Sequence, residues 1–346
     1  MYRARITAVA HYVPERVVTN SDLEKTLDTS DEWIRSRTGI RERHLVKRGQ
    51  ATSDLAAEAA KRLLEQRGVD ASEIDCIIVA TVTPDMMFPS TACLLQHKIG
   101  ASNAWGFDLS GACTGFVYAL ATGSQFVHSG ACKKVLVVGA DVMSSILDPA
   151  DRNTMVLFGD GAGAVLLEPT SPGHEGIVDF ILRADGAGGK HLFMPGGGSL
   201  HPATHETVNR KMHYVHQDGR AVFKYAVQGM ADVSAELLER NDLTNSDLAY
   251  FVPHQANMRI IDAAAERVGI QPELVCRNIE RFANTTAATI PIGLSEAFRE
   301  RRIRRGDLVL VASFGAGFTW GSLLLRWAMS AHGPRSATPT EAYTDQ

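Results

Sequence analysis

Cys113 is the residue whose type and position most clearly predict chemistry. A short apolar run ends at Leu109, small residues follow, and a long apolar stretch begins after Gly115. This pattern predicts a strand, a tight turn and a helix with the thiol in its first turn. The helix dipole there favours the thiolate, which is the nucleophilic form of cysteine. A cysteine that only fills space is the competing interpretation, since most free cysteines have that role.

Two polar side chains far along the chain could act together with this thiol. His254 follows a predicted strand, Tyr250 to Pro253. In α/β folds, ligands bind beyond the ends of strands. The competing interpretation is a structural histidine, which is the more frequent role of a lone histidine. Asn284 opens a run of small residues, where it could meet a ligand or cap a helix. A glycine-rich loop at 314–321 is either a tight turn or a source of backbone N–H groups for a reacting carbonyl. These residue types fit covalent chemistry at a carbonyl carbon.

The bulk composition excludes several classes of protein. A chain of 346 residues suits two domains or one duplicated unit, and its net charge of -4 argues against a general nucleic-acid binder. No segment approaches the roughly 20 apolar residues of a membrane span, and the apolar stretch near the amino terminus is too short for a signal peptide. Five cysteines without a C-x-x-C pair favour a reduced, cytoplasmic setting.

The chain contains an internal repeat. Residues 63–74 resemble residues 237–248, and residues 135–138 resemble residues 309–312, in both cases 174 positions apart and without a gap. Two matches at one offset, close to half the chain length, predict a duplicated α/β unit. Each copy is predicted to contain a helix followed by a strand: Ala56 to Gln66 and Cys76 to Ala80 in the first, Ala231 to Glu239 and Tyr250 to Pro253 in the second.

The repeat predicts how the chain is divided. Alternating helices and strands imply sheets that helices cover on both faces. We expect an amino-terminal half at residues 1–172, a carboxy-terminal half at residues 173–328 and a disordered tail at residues 329–346. A pseudo-twofold axis between the halves brings corresponding loops together. Cys113 of one half then faces His254 and Asn284 of the other.

Several motifs in this order resemble the β-ketoacyl-acyl-carrier-protein synthase III family, which starts fatty-acid synthesis. The resemblance covers about residues 1–327 and is carried by Asp28–Ile34, Thr38–Arg43, Ser110–Gly115, Pro253–Asn257, Asn284–Ala288 and Gly317–Ser322. It implies the thiolase fold, an α/β fold in which two duplicated halves form a layered α-β-α-β-α arrangement. It also implies an acyltransferase with no cofactor and no metal, whose substrates are coenzyme A thioesters.

The reaction that the resemblance implies has two parts. Cys113 first accepts an acyl group, with acetyl-coenzyme A as the expected primer. A decarboxylative Claisen condensation with malonyl-acyl carrier protein then gives 3-oxoacyl-acyl carrier protein, CO2 and coenzyme A. Neutral His254 and Asn284 donate to the thioester oxygen as CO2 leaves. The glycine-rich loop around Ala316 and the backbone N–H of Cys113 form the oxyanion hole, and the apolar surface of Phe314 favours decarboxylation.

The resemblance also implies contacts with substrates and partners. The coenzyme A and pantetheine contacts are Trp33, Arg37, Arg152, Phe223 and Asn257. The contacts with the acidic carrier protein are Lys224, Gln255, Ala256, Asn257, Met258 and Arg259, to which Arg267 could add. Phe88 is expected to cross the interface of a homodimer into the neighbouring acyl pocket. Neither nucleic acid nor membrane is an expected partner.

Other functions fit parts of the same pattern. A secondary-metabolism relative that starts a polyketide, or moves acyl groups to other acceptors, could use the same three residues. A non-catalytic acyl-binding protein on this fold is expected to lack one of the three, and all are present. A biosynthetic thiolase normally calls for a second cysteine near the chain end, whereas the last cysteine here is Cys276.

Overall fold

The structure, a computed structural model, describes residues 3–171 and 173–330 of the chain. The strands are β1 (Arg3–Tyr12), β2 (Val17–Thr19), β3 (Glu42–His44), β4 (Cys76–Ala80), β5 (Trp105–Leu109), β6 (Val135–Asp141), β7 (Gly161–Thr170), β8 (Gly176–Ala184), β9 (Leu192–Phe193), β10 (His216–Gln217), β11 (Tyr250–Pro253), β12 (Leu308–Gly315) and β13 (Thr319–Arg326). The tail predicted to be disordered lies outside the described residues from residue 331 onward.

The helices lie between these strands along the chain. They are α1 (Asn20–Leu23), α2 (Asp31–Thr38), α3 (Thr52–Arg67), α4 (Thr91–Ile99), α5 (Gly115–His128), α6 (Arg152–Met155), α7 (His205–Asn209), α8 (Gly219–Arg240), α9 (Met258–Val268), α10 (Ile279–Phe282) and α11 (Thr289–Arg299). Short 3-10 turns span Ala71–Glu73, Ala112–Thr114, Met143–Ile146, Gly186–Lys190, Asn245–Asp247, Pro272–Leu274 and Thr286–Ala288.

Two large sheets repeat one topology. The first has the order β1-β7-β6-β4-β5, and the second has the order β8-β13-β12-β11. The parallel pair β4 and β6 corresponds to β11 and β12, and the antiparallel pairs on the other side correspond as well. The counterpart of β5 is reduced to one parallel bridge between Phe251 and Val275. This confirms the duplicated α/β fold, while the division at residue 172 stays a prediction.

Five layers result from the helix packing. α5 and α11 lie between the sheets, and each contacts strands of both. α3 and α4 cover the outer face of the first sheet, and α8, with α9 beside it, covers the outer face of the second. Every residue of β6 and β12 is buried, as expected for strands covered on both faces. No helix in the described ranges is long and apolar enough to span a bilayer.

The predicted strands are confirmed, but α8 is much longer than its prediction. Cys76–Ala80 and Tyr250–Pro253 have the predicted bounds. α8 begins at Gly219 rather than Ala231, because the Asp218 side chain accepts from the N–H groups of residues 220 and 221 and caps an earlier start. The added turns include Phe223 and Lys224.

Candidate active site

Cys113 lies in the 3-10 turn that leads into α5, not in the first turn of the α-helix. Ala112 before it has a φ of 46°, a left-handed conformation that turns the chain sharply after β5. The Ser313 hydroxyl donates to the carbonyl of Cys113 at 2.8 Å. The Thr319 hydroxyl lies within hydrogen-bond distance of two carbonyl oxygens, those of Gly111 at 3.2 Å and Ala316 at 3.1 Å, and can donate its one proton to either. Hydroxyls on β12 and β13 thus fix the turn that holds the thiol.

The thiol is not the thiolate that the helix position predicts. Cys113 is 6% exposed, and burial, together with the charge of Asp141, raises the pKa of its thiol to about 12. Both causes disfavour an anion. This contradicts the expectation of a resting thiolate.

His254 lies directly beyond β11, with its ring buried in the protein. The backbone N–H of His254 donates to the carbonyl of Ala312 at 2.8 Å. This bond continues the parallel pairing of β11 with β12. Nδ1 of the ring lies 2.7 Å from the Thr289 hydroxyl. Burial lowers the pKa of the imidazole to about 3, so His254 is neutral at physiological pH.

Asn284 presents its amide nitrogen as a donor. The side-chain oxygen accepts from the N–H of Thr286 at 2.9 Å. The backbone N–H of Asn284 donates to the carbonyl of Leu157, and its carbonyl accepts the N–H of Gly159. Both partners lie in the segment before β7. Because Oδ1 is engaged, the Nδ2 protons are the part of the amide that remains for a ligand.

The turns that carry these residues pack together. The 3-10 turns Ala112–Thr114 and Thr286–Ala288 are in contact, and residues 113 and 287 are equivalent positions of the repeat. Gly139 on β6 permits the approach, since a Cβ there would lie 2.3 Å from the carbonyl oxygen of Ala287. The pseudo-symmetry therefore places the amino-terminal cysteine beside the carboxy-terminal asparagine loop.

The thiol lies at the junction of two cavities. A cavity of about 300 Å³ is lined by Cys113, His254, Asn284, Phe314 and Gly315. The apolar side chains Leu157, Val222, Ala226, Met230 and Ile260 form its walls. A second cavity of about 140 Å³ also reaches Cys113 and is lined mainly by apolar groups, among them Val82, Met143, Ile146, Met194, Val215 and Ala316.

The glycine-rich loop follows β12 and borders both cavities. Phe314 is buried, and its ring lies 4.8 Å from that of Phe318. A Cβ on Gly315 would lie 2.8 Å from the backbone nitrogen of Cys113, so only glycine allows this contact. Ala316 is not among the residues with positive φ, and alanine therefore fits there without strain.

The predicted coenzyme A residues cluster beside the larger cavity. Arg37 and Arg152 place their guanidinium carbons 4.8 and 5.2 Å from the Trp33 ring centroid, distances of direct cation–π contact. Asn257 caps α9 and donates to the carbonyl of Arg37 at 3.0 Å. Phe223 and Asn257 also line the cavity. The structure therefore brings all five predicted residues to one region.

The predicted carrier contacts divide into surface and buried residues. Lys224 and Arg259 are exposed, and the Arg259 guanidinium lies 5.4 Å from the Phe223 ring centroid. Ala256, Asn257 and Met258 are half-buried.

Two of the predicted carrier residues are engaged elsewhere. Gln255 is 1% exposed, and its side chain donates to Pro253 and Cys276 and accepts from Asn278. The Gln255 side chain is therefore occupied within the chain, and its contact with a carrier protein stays a prediction. Arg267 forms an ion pair with Asp232 at 3.1 Å.

Phe88 lines neither cavity of its own chain. It is 84% exposed, beside Met87 at 78% and Met86 at 48%. Three consecutive exposed apolar side chains are unusual on the surface of a monomer.

Sequence reasoning missed Asp141 and the wall of the larger cavity. Asp141, at the end of β6, is buried and accepts from Thr81, Val82, Thr83 and Ala287, so it joins two loops beneath the thiol. The walls of the cavity include Val222, Ala226 and Met230. Their spacing of four residues on α8 is a helical signal that the sequence contained.

The fold and this site together define a class, the thiolase-fold condensing enzymes. Two duplicated halves bring a cysteine, a neutral histidine and an amide donor to one cavity. Within residues 3–171 and 173–330, no group of three or more His, Cys, Asp or Glu side chains could hold a metal ion.

Comparisons with known proteins then give the family. Family models for 3-oxoacyl-[acyl-carrier-protein] synthase III match residues 107–186, and those for its C-terminal part match residues 238–327. The chain is 58% identical to a β-ketoacyl-[acyl-carrier-protein] synthase III of Koribacter versatilis (strain Ellin345) over 327 residues, which are 94% of this chain and 98% of that protein. This chain therefore belongs to the 3-oxoacyl-[acyl-carrier-protein] synthase III family, a family of condensing acyltransferases.

Solved structures agree with this assignment. The synthase III structure from Thermus thermophilus has a TM-score of 0.87 and 45% identity, and it covers 94% of this chain and 99% of its own. The priming β-ketosynthase of the R1128 polyketide pathway has the same TM-score and 35% identity, and it covers 94% of this chain and 96% of its own. The chain is more similar to the synthase III proteins of Koribacter versatilis and Thermus thermophilus than to this polyketide enzyme, so the polyketide alternative is not favoured. The fold and family predicted from the sequence are confirmed.

Proposed function

We propose that this enzyme transfers an acyl group from coenzyme A to Cys113 and condenses it with malonyl-acyl carrier protein. The products are 3-oxoacyl-acyl carrier protein, CO2 and coenzyme A, so the reaction initiates fatty-acid biosynthesis. The observation that supports it most is the position of Cys113, between a mainly apolar cavity and a larger cavity that holds two neutral donors.

In the first half-reaction, the Cys113 sulfur attacks the acyl carbon of the primer. The carbonyl oxygen becomes negative in the tetrahedral intermediate, and we assign its stabilisation to the backbone N–H of Cys113 and to one from the loop around Ala316. The bond to the coenzyme A sulfur then breaks, and the thiol proton leaves with coenzyme A. One thioester replaces another, so the exchange is nearly neutral in energy. The acyl chain is placed in the smaller, apolar cavity.

In the second half-reaction, malonyl thioester loses CO2 and its thioester oxygen takes up negative charge. His254 and Asn284 supply neutral N–H donors for that oxygen. The carbanion carbon attacks the acyl carbon on Cys113, the bond from that carbon to the cysteine sulfur breaks, and the released thiolate takes up one proton from solvent to restore the thiol. The Phe314 ring gives the malonyl carboxylate an apolar surface, which favours its loss as neutral CO2.

The experiment that tests this function combines purified protein, acetyl-coenzyme A and malonyl-acyl carrier protein. We expect acetoacetyl-acyl carrier protein, identified by its mass. Acyl transfer to another acceptor, without condensation, would instead support the secondary-metabolism alternative. We place the reaction in the cytoplasm, because five cysteines without a C-x-x-C pair are typical of a reducing compartment.

We propose a homodimer in which Phe88 enters the acyl cavity of the partner. The exposed run Met86, Met87 and Phe88 supports it, because burying such a patch releases water from apolar surface. Replacing Phe88 with aspartate is expected to shift the protein from dimer to monomer in sedimentation velocity. A monomeric wild-type protein at micromolar concentration would contradict the proposal.

We propose that Lys224 and Arg259 form the contact with the acidic carrier protein. A charged side chain at the rim of a protein–protein interface mainly controls the association rate and the salt dependence of that rate. Lys224→Glu is therefore expected to raise KM for malonyl-acyl carrier protein about tenfold at low salt, with a smaller effect at high salt. Cys113 acetylation by acetyl-coenzyme A serves as the internal reference and is expected to be unchanged.

The matched control is Lys133→Glu. Lys133 is also exposed but precedes β6, at the end of the sheet opposite Cys113. An equal rise of KM in both variants would show only an effect of net charge and would exclude a specific contact at Lys224.

A further inference from the structure

Thr289, the first residue of α11, places its hydroxyl against the candidate catalytic imidazole. Its Oγ1 lies 2.7 Å from Nδ1 of His254, and both side chains are at most 2% exposed. His254 also lines the larger cavity. With Nδ1 engaged by Thr289, Nε2 is the ring nitrogen that can meet a substrate.

Two hydrogen-bond arrangements fit these positions, because a hydroxyl has only one proton to donate. In the first, Thr289 donates to the carbonyl of Thr286 at 3.2 Å, and the ring donates from Nδ1. Nε2 then carries a lone pair toward the cavity. In the second, Thr289 donates to Nδ1, and the ring proton lies on Nε2.

The surroundings of Thr286 favour the second arrangement. The carbonyl of Thr286 already accepts the backbone N–H of Thr289, so it remains paired when the hydroxyl turns away. The distance to the ring nitrogen is also 0.5 Å shorter than the distance to that carbonyl, 2.7 against 3.2 Å.

We propose that Thr289 is a positioning residue that donates to Nδ1 and so holds the His254 proton on Nε2, where the thioester oxygen needs a donor. This inference rests on the proposed function, since only the decarboxylating half-reaction requires that donor. The fixed partner on the second ring nitrogen determines which nitrogen carries the proton. Thr289 itself touches no substrate.

The test compares Thr289→Val, which keeps the shape without the hydroxyl, with Thr289→Ser, which keeps the hydroxyl. We expect the valine variant to lose about ten- to a hundredfold in condensation rate, the scale seen when the orienting hydrogen-bond partner of a metal-ligating histidine is removed. Cys113 acetylation is expected to stay within about threefold of wild type, because the acylation donors are backbone groups. The serine variant is expected to recover most of the condensation rate.

Nitrogen-15 NMR of labelled histidine gives a readout that a merely structural role would not change. We expect the wild-type His254 signal to show the proton on Nε2, and the valine variant to lose this preference. A wild-type proton on Nδ1, or full condensation by the valine variant, would overturn the inference. Equal loss of acetylation and condensation, or no recovery with serine, would overturn it too.

These outcomes are distinct from a failure of the proposed function. If wild-type protein makes no acetoacetyl product, the function itself is wrong. If wild-type protein condenses and the valine variant does so equally well, only the role of Thr289 is wrong.

Discussion

Cys113→Ala is expected to lower the condensation rate by about ten-thousandfold or more, the scale seen when a covalent nucleophile is removed. Alanine fits the same buried turn, held by Ser313 and Thr319, so the fold is retained while the acyl carrier is lost. The measurement is the rate of acetoacetyl-acyl carrier protein formation from acetyl-coenzyme A and malonyl-acyl carrier protein. A loss smaller than about tenfold would show that no acyl-cysteine lies on the reaction path.

Cys93→Ala provides the matched control for this variant. Cys93 is a free thiol on the surface and lines neither cavity at Cys113. We expect it to condense at the wild-type rate. An equal loss in both variants would indicate general damage from replacing a cysteine.

His254→Ala and Asn284→Ala are each expected to lower condensation about a hundredfold or more, the usual effect of removing one oxyanion donor. Cys113 acetylation is expected to remain within about threefold of wild type, because its oxyanion donors are backbone N–H groups. Both half-reactions are measured on the same preparation, acetylation by mass and condensation by product formation. Wild-type condensation by either variant would contradict the assigned roles.

The double variant, His254→Ala with Asn284→Ala, tests whether the two side chains act on the same oxygen. Two donors to one oxygen act as a unit, so the combined loss is expected to be smaller than the product of the two single losses. His205→Ala, which changes an exposed histidine at the start of α7, is the control and is expected to be neutral. Fully multiplicative losses would indicate that His254 and Asn284 act on different atoms.

The sequence predicted the parts of the fold that depend on periodicity. The 174-residue offset predicts two sheets that share one strand order. Segments with the same pattern of apolar residues are buried in the same way, so they occupy corresponding positions in the two halves. The same repeat explains how Cys113 meets a loop near residue 287. The start of α8 was not predicted, since the cap at Asp218 is a local side-chain bond that apolar periodicity does not show.

The site residues show where local reasoning fails. The thiolate expectation used only the helix after Cys113, whereas the pKa of the thiol depends on burial and on Asp141 from another strand. Gln255 was predicted from the resemblance to contact the carrier protein, whereas its side chain is buried and donates to the carbonyls of Pro253 and Cys276. Thr289 was visible only as a small polar residue. Its proposed role depends on its contact with His254, which lies 35 positions earlier in the sequence.

The most direct test of this account is the mass of the intact protein after incubation with acetyl-coenzyme A alone. We predict an increase by one acetyl group, located on the peptide that contains Cys113 and lost again when malonyl-acyl carrier protein is added. The Cys113→Ala variant should gain no such mass. An unmodified Cys113 in a protein that still makes acetoacetyl product, or an acetyl group on another residue that malonyl-acyl carrier protein discharges, would contradict the account.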